Sequence, residues 1–270
     1  MESDELSFGN VDDILNISPT SIDDSLRKQI VVMSASHLGP AVEYLFQQSH
    51  TFNFLPPLAA FRNSAISSAI SNWAKLAYSG RLPRSTQPGA NEIECVAYQE
   101  PNGTPDDAYW TAFCQRADKA AQAAGFHQNI ARGLVGALGE MADNLLHSTR
   151  IQTGLVGYHF APREFEFVVA DNGIGVLQSL RTCVEYSSTP DHYSALKLAL
   201  SGKSCFGSNT GHGWGFQTLF RNLADLNGSL RFRSGDWAAE ISGETPQLQK
   251  AVWKQRPHYQ GFMVSVLCRC

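Results

Sequence analysis

The chain has 270 residues, 43% of them hydrophobic and 17% charged, and a formal net charge of −4 at pH 7. This composition is typical of soluble globular proteins, and the length suffices for one large domain or two small ones. The apolar stretches are too short to span a bilayer, and the acidic N-terminus argues against a signal peptide, so a cytoplasmic protein without membrane contact is expected.

The charges are divided unevenly along the chain. Residues 1–120 carry 14 acidic and 8 basic side chains, a net −6, whereas residues 121–270 carry 11 and 13, a net +2. A slightly basic C-terminal half suits a small anionic ligand. Nucleic-acid binding is not expected, because it usually requires a strongly basic stripe. The six cysteines show no CxxC pair, which predicts reduced thiols in a cytosolic chain and no zinc site.

Residues 1–100 are predicted to form a region of unknown type, with a small α/β domain as one alternative. A linker rich in Pro, Gly and Ser is expected at Pro83–Asn91. The predicted elements of this region are a strand at Gln29–Met33, a helix that begins near Gly39, a helix at Ala65–Tyr78 and a strand at Ile93–Tyr98.

Residues 105–270 combine a helical entry with a strand-rich part. Thr104-Pro105-Asp106 is a helix start signal, and Gly125 ends that helix. Further helices are predicted at Gln128–His147, Asp191–Ser201 and Trp214–Leu226, and strands at Gly154–Phe160, Glu164–Ala170, Ser229–Arg233, Trp237–Ile241 and Gly261–Leu267. The order of these elements predicts an α/β sandwich with an open sheet.

The predicted helix Gln128–His147 carries a polar stripe beside its apolar one. Glu140 and Asn144 lie four residues apart, so they point the same way. A carboxylate can polarise a water molecule there, and a neutral amide oxygen can hold Mg²⁺. The same spacing also occurs on ordinary solvated helix faces, so this pattern alone is not specific.

Two glycine-rich turns follow in the sequence. The apolar strand Glu164–Ala170 runs directly into Asp171-Asn172-Gly173-Ile174-Gly175, a tight turn in which the second glycine leaves room for a ligand. Gly207–Gly215 then contains four glycines before a predicted helix, an arrangement that can bind an anion or can be a flexible loop. A P-loop is rejected, because Lys197 stands where that motif needs glycine.

These three segments resemble, in this order, the motifs of the GHKL ATPase family, which includes the histidine kinases and has the Bergerat fold. The run EMADN (140–144) is similar to the N box, ADNGIG (170–175) to the DxGxG box, and GHGWG (211–215) to the GxGxG box. The resemblance covers roughly residues 105–270. It implies an α/β (α+β) two-layer sandwich, with a mixed, mostly antiparallel sheet and helices on one face.

The resemblance also implies that the chain binds ATP and Mg²⁺. Glu140 is expected as the catalytic general base, Asn144 as the Mg²⁺ ligand, and Asp171 as the acceptor for the adenine amino group. The other expected ATP-binding residues are Gly173 and Gly175 at the pocket floor, Gly211, His212, Gly213 and Gly215 around the phosphates, and Lys203 on a mobile lid at Val176–Thr210.

The chain departs from the family pattern in two places. The last strand of relatives usually begins Gly-Thr, with the threonine supporting the adenine, whereas this chain has Gly261-Phe262. Roughly two dozen residues, including Trp237 and Trp253, also separate Asp236 from Gly261, where many relatives have a short turn.

Three functions follow from this resemblance. The first is a regulatory ATPase that uses Mg-ATP and has a nucleotide-responsive lid. The second is a protein kinase, similar to a histidine kinase or an anti-sigma factor, that phosphorylates a partner protein. The third is a catalytically decayed nucleotide-binding module. A protein partner is expected in each case, and a homodimer is one alternative for the assembly.

Overall fold

One open antiparallel sheet of five strands organises the part of the chain that the computed structural model describes, namely residues 7–16, 36–52, 65–66, 68–70, 73, 92–98, 107–148, 154–203, 220, 223, 226–244 and 247–270. In chain order the strands are β1 (Ile93–Tyr98), β2 (Gly154–Ala161), β3 (Glu164–Asp171), β4 (Asn227–Gly243) and β5 (Val252–Arg269). Their order across the sheet is β1, β2, β3, β5, β4, and every neighbouring pair is antiparallel.

Six helices that accompany this sheet are described over continuous ranges. They are α1 (Phe8–Asn16), α2 (Leu38–Phe52), α3 (Asp107–Ala123), α4 (Gln128–Ser148), α5 (Gly175–Arg181) and α6 (His192–Leu200). Short 3-10 turns lie at Val184–Tyr186 and Leu248–Lys250. The predicted combination of helices with an open sheet is therefore confirmed, and the sheet expected to be mixed and mostly antiparallel is antiparallel throughout its described strands. None of the helices that can be described is long and apolar enough to cross a membrane.

The two faces of the sheet follow from the alternation of side chains along β3. Phe165, Phe167 and Val169 belong to the core that α3 and α4 cover, whereas Val168 and Ala170 belong to a second core with α2. Helices α1 and α2 both pack against β5 on that second side. The helices α3 and α4 form the expected layer on one face, and the N-terminal helices cover the other face of the same sheet.

The largest difference from the predicted elements lies in the last two strands. The predicted strands Ser229–Arg233 and Trp237–Ile241 are one continuous strand, β4, and its partner β5 begins at Val252 instead of Gly261. The intervening Ser-Gly-Asp sequence resembles a turn, but Gly235 (φ +59°) is accommodated as an irregularity of the ladder.

Several predicted elements cannot be compared with the structure. The strand Gln29–Met33, the linker Pro83–Asn91 and nearly all of the helix Trp214–Leu226 lie outside the described residues. The described residues of the predicted helix Ala65–Tyr78 are helical. The remaining helices and strands agree with their predicted positions to within about three residues.

The expectation of reduced thiols is wrong for Cys183. Cys183 is disulfide-bonded, whereas Cys95, Cys114, Cys268 and Cys270 are free. A bond between cysteines that do not form a local motif depends on their distance in the folded chain, so the sequence spacing gave no sign of it.

A buried carboxylate on β3 fixes the beginning of α2. The two oxygens of Glu166 accept hydrogen bonds from the N–H groups of Leu38 and Gly39, each at 2.7 Å. Burial opposes ionisation, but hydrogen bonds from His159, His37 and the Gly39 N–H outweigh it and lower the pKa of Glu166 to about 2. This carboxylate therefore joins the N-terminal part of the chain to the middle of the sheet.

Glu166→Gln is expected to lower the free energy of unfolding at pH 7 by about 3 kcal/mol, the equivalent of a pKa depressed by about 2.5 units. A depressed pKa stabilises the fold above pH 4.5 and loses that effect as the pH falls through about 2. Urea unfolding at pH 7 and at about pH 2.5 measures the change. Glu164→Gln, which removes an exposed ion pair with Arg269, serves as the control and should cost less than about 1 kcal/mol. An equal loss at both pH values for Glu166→Gln would contradict the role of its charge.

Candidate functional site

The turn after β3 contains a buried carboxylate with one oxygen that has no partner. Asp171 is fully buried at the end of the strand, and its Oδ1 accepts a hydrogen bond from the Gly173 N–H at 2.7 Å. The Phe262 N–H also hydrogen-bonds this carboxylate. Asp171 Oδ2 has no hydrogen-bond partner in the described part of the chain. A buried acceptor without a donor costs free energy, which a donor on a ligand can offset.

The buried position changes the acid strength of Asp171. Burial raises its pKa to about 7, against the opposing effect of the Gly173 and Phe262 N–H groups. Neutral acid and carboxylate are therefore both populated near neutral pH. The number of hydrogen bonds that Asp171 can accept therefore depends on its protonation state. Acids with a strongly raised pKa are common at functional sites.

Glycine backbone surrounds this carboxylate. Gly261 adopts φ +87°, and a Cβ atom there would lie 2.2 Å from the carbonyl oxygen of Asp171. At Gly175 (φ +73°), a Cβ atom would lie 3.1 Å from the carbonyl oxygen of Gly261 and from Ser234 Oγ. Gly173 is buried beside them. The structure therefore brings three of the predicted residues, Asp171, Gly173 and Gly175, together with β5.

Two side chains that the sequence analysis did not identify hold this arrangement. Ser234 Oγ accepts from the Val176 N–H at 3.0 Å and donates to the Gly261 carbonyl at 2.8 Å. Gln260 Nε2 donates to the Gly173 carbonyl at 2.6 Å. Ser234 falls between two predicted strands, and no sequence pattern distinguishes Gln260 from the other glutamines, because both contacts depend on the pairing of distant strands.

Helix α4 brings Glu140 to the side of the sheet on which Asp171 lies. The helix packs against β3 and α5, and Leu134, Leu138 and Met141 on its apolar stripe are fully buried. Glu140 is half-buried on the adjoining face. Asn144 follows one turn later in α4, and its side chain lies outside the described residues.

The rest of the predicted phosphate site is only partly described. Lys203 is exposed three residues after the end of α6. Gly211, His212, Gly213 and Gly215 lie outside the described residues. Among the residues with described side chains, no group of three or more His, Cys, Asp or Glu could hold a metal ion.

The described part of the predicted lid, residues 176–203, is folded against the sheet. Asp191 caps α6 by accepting from the Ser194 N–H at 2.7 Å. The Tyr193 ring then lies 4.9 Å from the ring of Trp237 and 5.1 Å from that of Trp253. The long β4–β5 hairpin, which is the insertion noted in the sequence, thus supplies the surface on which this helix rests.

Phe262 contributes its backbone to the site instead of a hydroxyl group. Its side chain is almost fully buried in the core beneath α3 and α4, while its N–H group bonds to Asp171. The position where threonine was expected therefore has no side-chain hydrogen bond to offer an adenine.

Comparison of the sequence with protein-family models and with curated proteins gives no match.

Proposed function

We propose that the chain is a regulatory ATPase of the GHKL type with a Bergerat fold, which uses Mg-ATP and has a nucleotide-responsive lid. The observation that supports it most is the buried carboxylate of Asp171, whose Oδ2 has no partner among the described residues. The adenine amino group is a donor of the kind that this oxygen lacks. Gly175 and Gly261 adopt positive φ and allow the backbone to pack closely around this carboxylate, and the motif resemblance places the base against it.

The phosphate end of the proposed site begins on α4. Glu140 would take a proton from the attacking water molecule, and Asn144, one helical turn away, would hold the Mg²⁺ that neutralises phosphate charge. The motif resemblance assigns the phosphates to Gly211, His212, Gly213 and Gly215, with Lys203 reaching them from the lid. The packing of α4 against β3 and α5 supports a common site for Glu140 and Asp171.

Incubation with γ-labelled ATP and Mg²⁺ tests this proposal. Wild-type protein is expected to release labelled phosphate, and Glu140→Ala to release it about 100-fold more slowly, because general-base catalysis contributes about this much. An ATP-induced rise of the melting temperature should persist in Glu140→Ala, since the adenine end is unchanged. The matched control is Glu164→Ala, which removes an acid on β3 that is paired with Arg269.

The same experiment separates the alternatives. Label that appears on an added protein instead of as free phosphate identifies a protein kinase. ATP binding without either product identifies a binding module. A wild-type protein whose melting temperature is insensitive to ATP would contradict all three functions.

A further inference from the structure

Strand β5 is irregular where it lies beside Asp171. It pairs Met263 with Arg233, and Tyr259 with Gly235, so residues 260–262 oppose Ser234 alone. Such a bulge disrupts the ladder of backbone hydrogen bonds on that side of the strand. The position of Gly261 must therefore be fixed by other contacts.

On the side that faces the Asp171–Gly173 turn, a side chain supplies such a contact. Gln260 Nε2 donates to the Gly173 carbonyl at 2.6 Å, and the Gly173 N–H in turn donates to Asp171 Oδ1 at 2.7 Å. Gly261 packs directly against the backbone of Asp171. Gln260 thus links the bulge of β5 to the turn that carries the unpartnered carboxylate oxygen.

On the opposite side, β5 is hydrogen-bonded by the side chains of Arg233 and Gln47, which link it to the N-terminal helix α2. Arg233 Nη2 donates to the Pro257 carbonyl at 2.6 Å, and its guanidinium lies 5.8 Å from the centre of the Tyr259 ring. Gln47 of α2 donates to the same Pro257 carbonyl at 3.3 Å. Contacts from β4 and from α2 therefore meet at one carbonyl group, three residues before the bulge.

Arg233 depends on α2 for its charge partner. Its Nε lies 2.9 Å from Oε1 of Glu43, and both side chains are fully buried. A buried arginine is held firmly where an acid is paired with it, because neither group can move away without leaving a charge unpaired. Helix α2 is therefore coupled to β5 through Glu43 and Arg233.

We propose that Gln260 and Arg233 are positioning residues of the nucleotide pocket, and that α2 sets the affinity for nucleotide through them. This inference rests on the function proposed above. Gln260 keeps the Asp171–Gly173 turn against the bulge, and Arg233 keeps the preceding residues of β5 against α2. A shift of α2 is transmitted along Pro257–Gly261 to the carboxylate that accepts the base.

Gln260→Leu tests this inference, because it removes the donor while keeping a side chain of similar size. We expect the Kd for ATP to rise about tenfold, the equivalent of one lost hydrogen bond, with little change in the melting temperature of the ligand-free protein. The control is Gln255→Leu, on the same strand, where an exposed glutamine donates to Asp236 at 3.3 Å. Gln47→Leu, which removes a contact of α2 with Pro257, should weaken ATP binding in the same direction by about two- to threefold.

A second readout does not require nucleotide. The Gly173 N–H bond lowers the pKa of Asp171, so a displaced turn should move the titration midpoint of Asp171 upward. Carbon-13 NMR of the side-chain carboxyl group measures this midpoint in wild-type protein, Gln260→Leu and Gln255→Leu. An upward movement in Gln260→Leu alone is expected.

The outcomes separate this inference from the function on which it rests. Wild-type protein that binds ATP, together with unchanged Kd and unchanged midpoint in Gln260→Leu, overturns the positioning role. Equal effects of Gln260→Leu and Gln255→Leu overturn it as well. Wild-type protein that binds no ATP overturns the proposed function, and the role of α2 in nucleotide affinity falls with it.

Discussion

Glu43→Leu is expected to lower the free energy of unfolding by about 3–5 kcal/mol, because it leaves two buried arginines without their shared acid. Glu43 binds Arg231 through two hydrogen bonds of 2.7 and 2.8 Å and forms the ion pair with Arg233. Asp12 of α1 adds a bond of 2.7 Å to Arg231, whereas Glu43 is the one acid that forms an ion pair with Arg233 among the described residues. Burial already lowers the pKa of Arg233 despite the opposing charge of Glu43.

Urea unfolding at pH 7, followed by tryptophan fluorescence, measures this loss. Glu43→Gln provides a milder variant if the leucine substitution prevents folding, since it removes the charge but retains an acceptor. Asp13→Asn is the matched control, because Asp13 is an exposed acid on α1, and its substitution should change stability by less than about 0.5 kcal/mol. A loss below about 1 kcal/mol for Glu43→Leu would show that water or relaxation satisfies the two arginines.

Wild-type protein is expected to become less stable as the pH rises, and Asp171→Asn is expected to abolish this decrease. The folded-state pKa of Asp171 is raised from 3.8 to about 7, so its stabilising effect is complete below pH 3.8 and is lost as the pH rises through about 7. A difference of about 3 units corresponds to about 4 kcal/mol for this fully buried group. The asparagine variant does not titrate, so the stability difference between the two proteins should change by about this amount between pH 4 and pH 8.

The same substitution should weaken ATP binding about 10- to 100-fold, because the amide replaces one oxygen acceptor with a donor. In wild-type protein the affinity should increase as the pH rises through about 7, since the carboxylate is the better acceptor for the adenine amino group. Unfolding curves and ATP titrations at several pH values between 5 and 8.5 measure both effects. Asp13→Asn should follow the wild-type profile. Parallel stability profiles for wild-type protein and Asp171→Asn would contradict the assignment of this pKa.

Local patterns in the sequence predicted the elements that carry the site. The alternation in Glu164–Ala170 and the glycines after Asp171 are short-range signals, and both β3 and its turn lie where they were expected. The helical spacing of Glu140 and Asn144 also placed both residues correctly on α4. These predictions depended on periodicities of two and about four residues, which the tertiary structure preserved.

Contacts between distant residues could not be predicted in the same way. Glu43 and Arg231 are separated by 188 positions, and neither lies in a recognisable motif. Gln260 and Ser234 lie in the site only because β4 continues through Gly235 and pairs with a longer β5 than was predicted. Phe262 differs from the threonine of the family pattern, yet its N–H group still bonds to Asp171, because a backbone contact does not depend on the side chain.

The shared acid in the second core also restricts how this sequence can diverge. Loss of Glu43 alone leaves two buried cations, and loss of Arg231 alone leaves Glu43 and Asp12 close together with fewer positive neighbours. A neutral replacement of the whole group requires coordinated changes in α1, α2 and β4. Homologous chains should therefore either retain these residues together or replace them together. Covariation between residues 12, 43, 231 and 233 would then indicate that the N-terminal helices pack against the sheet in the same way.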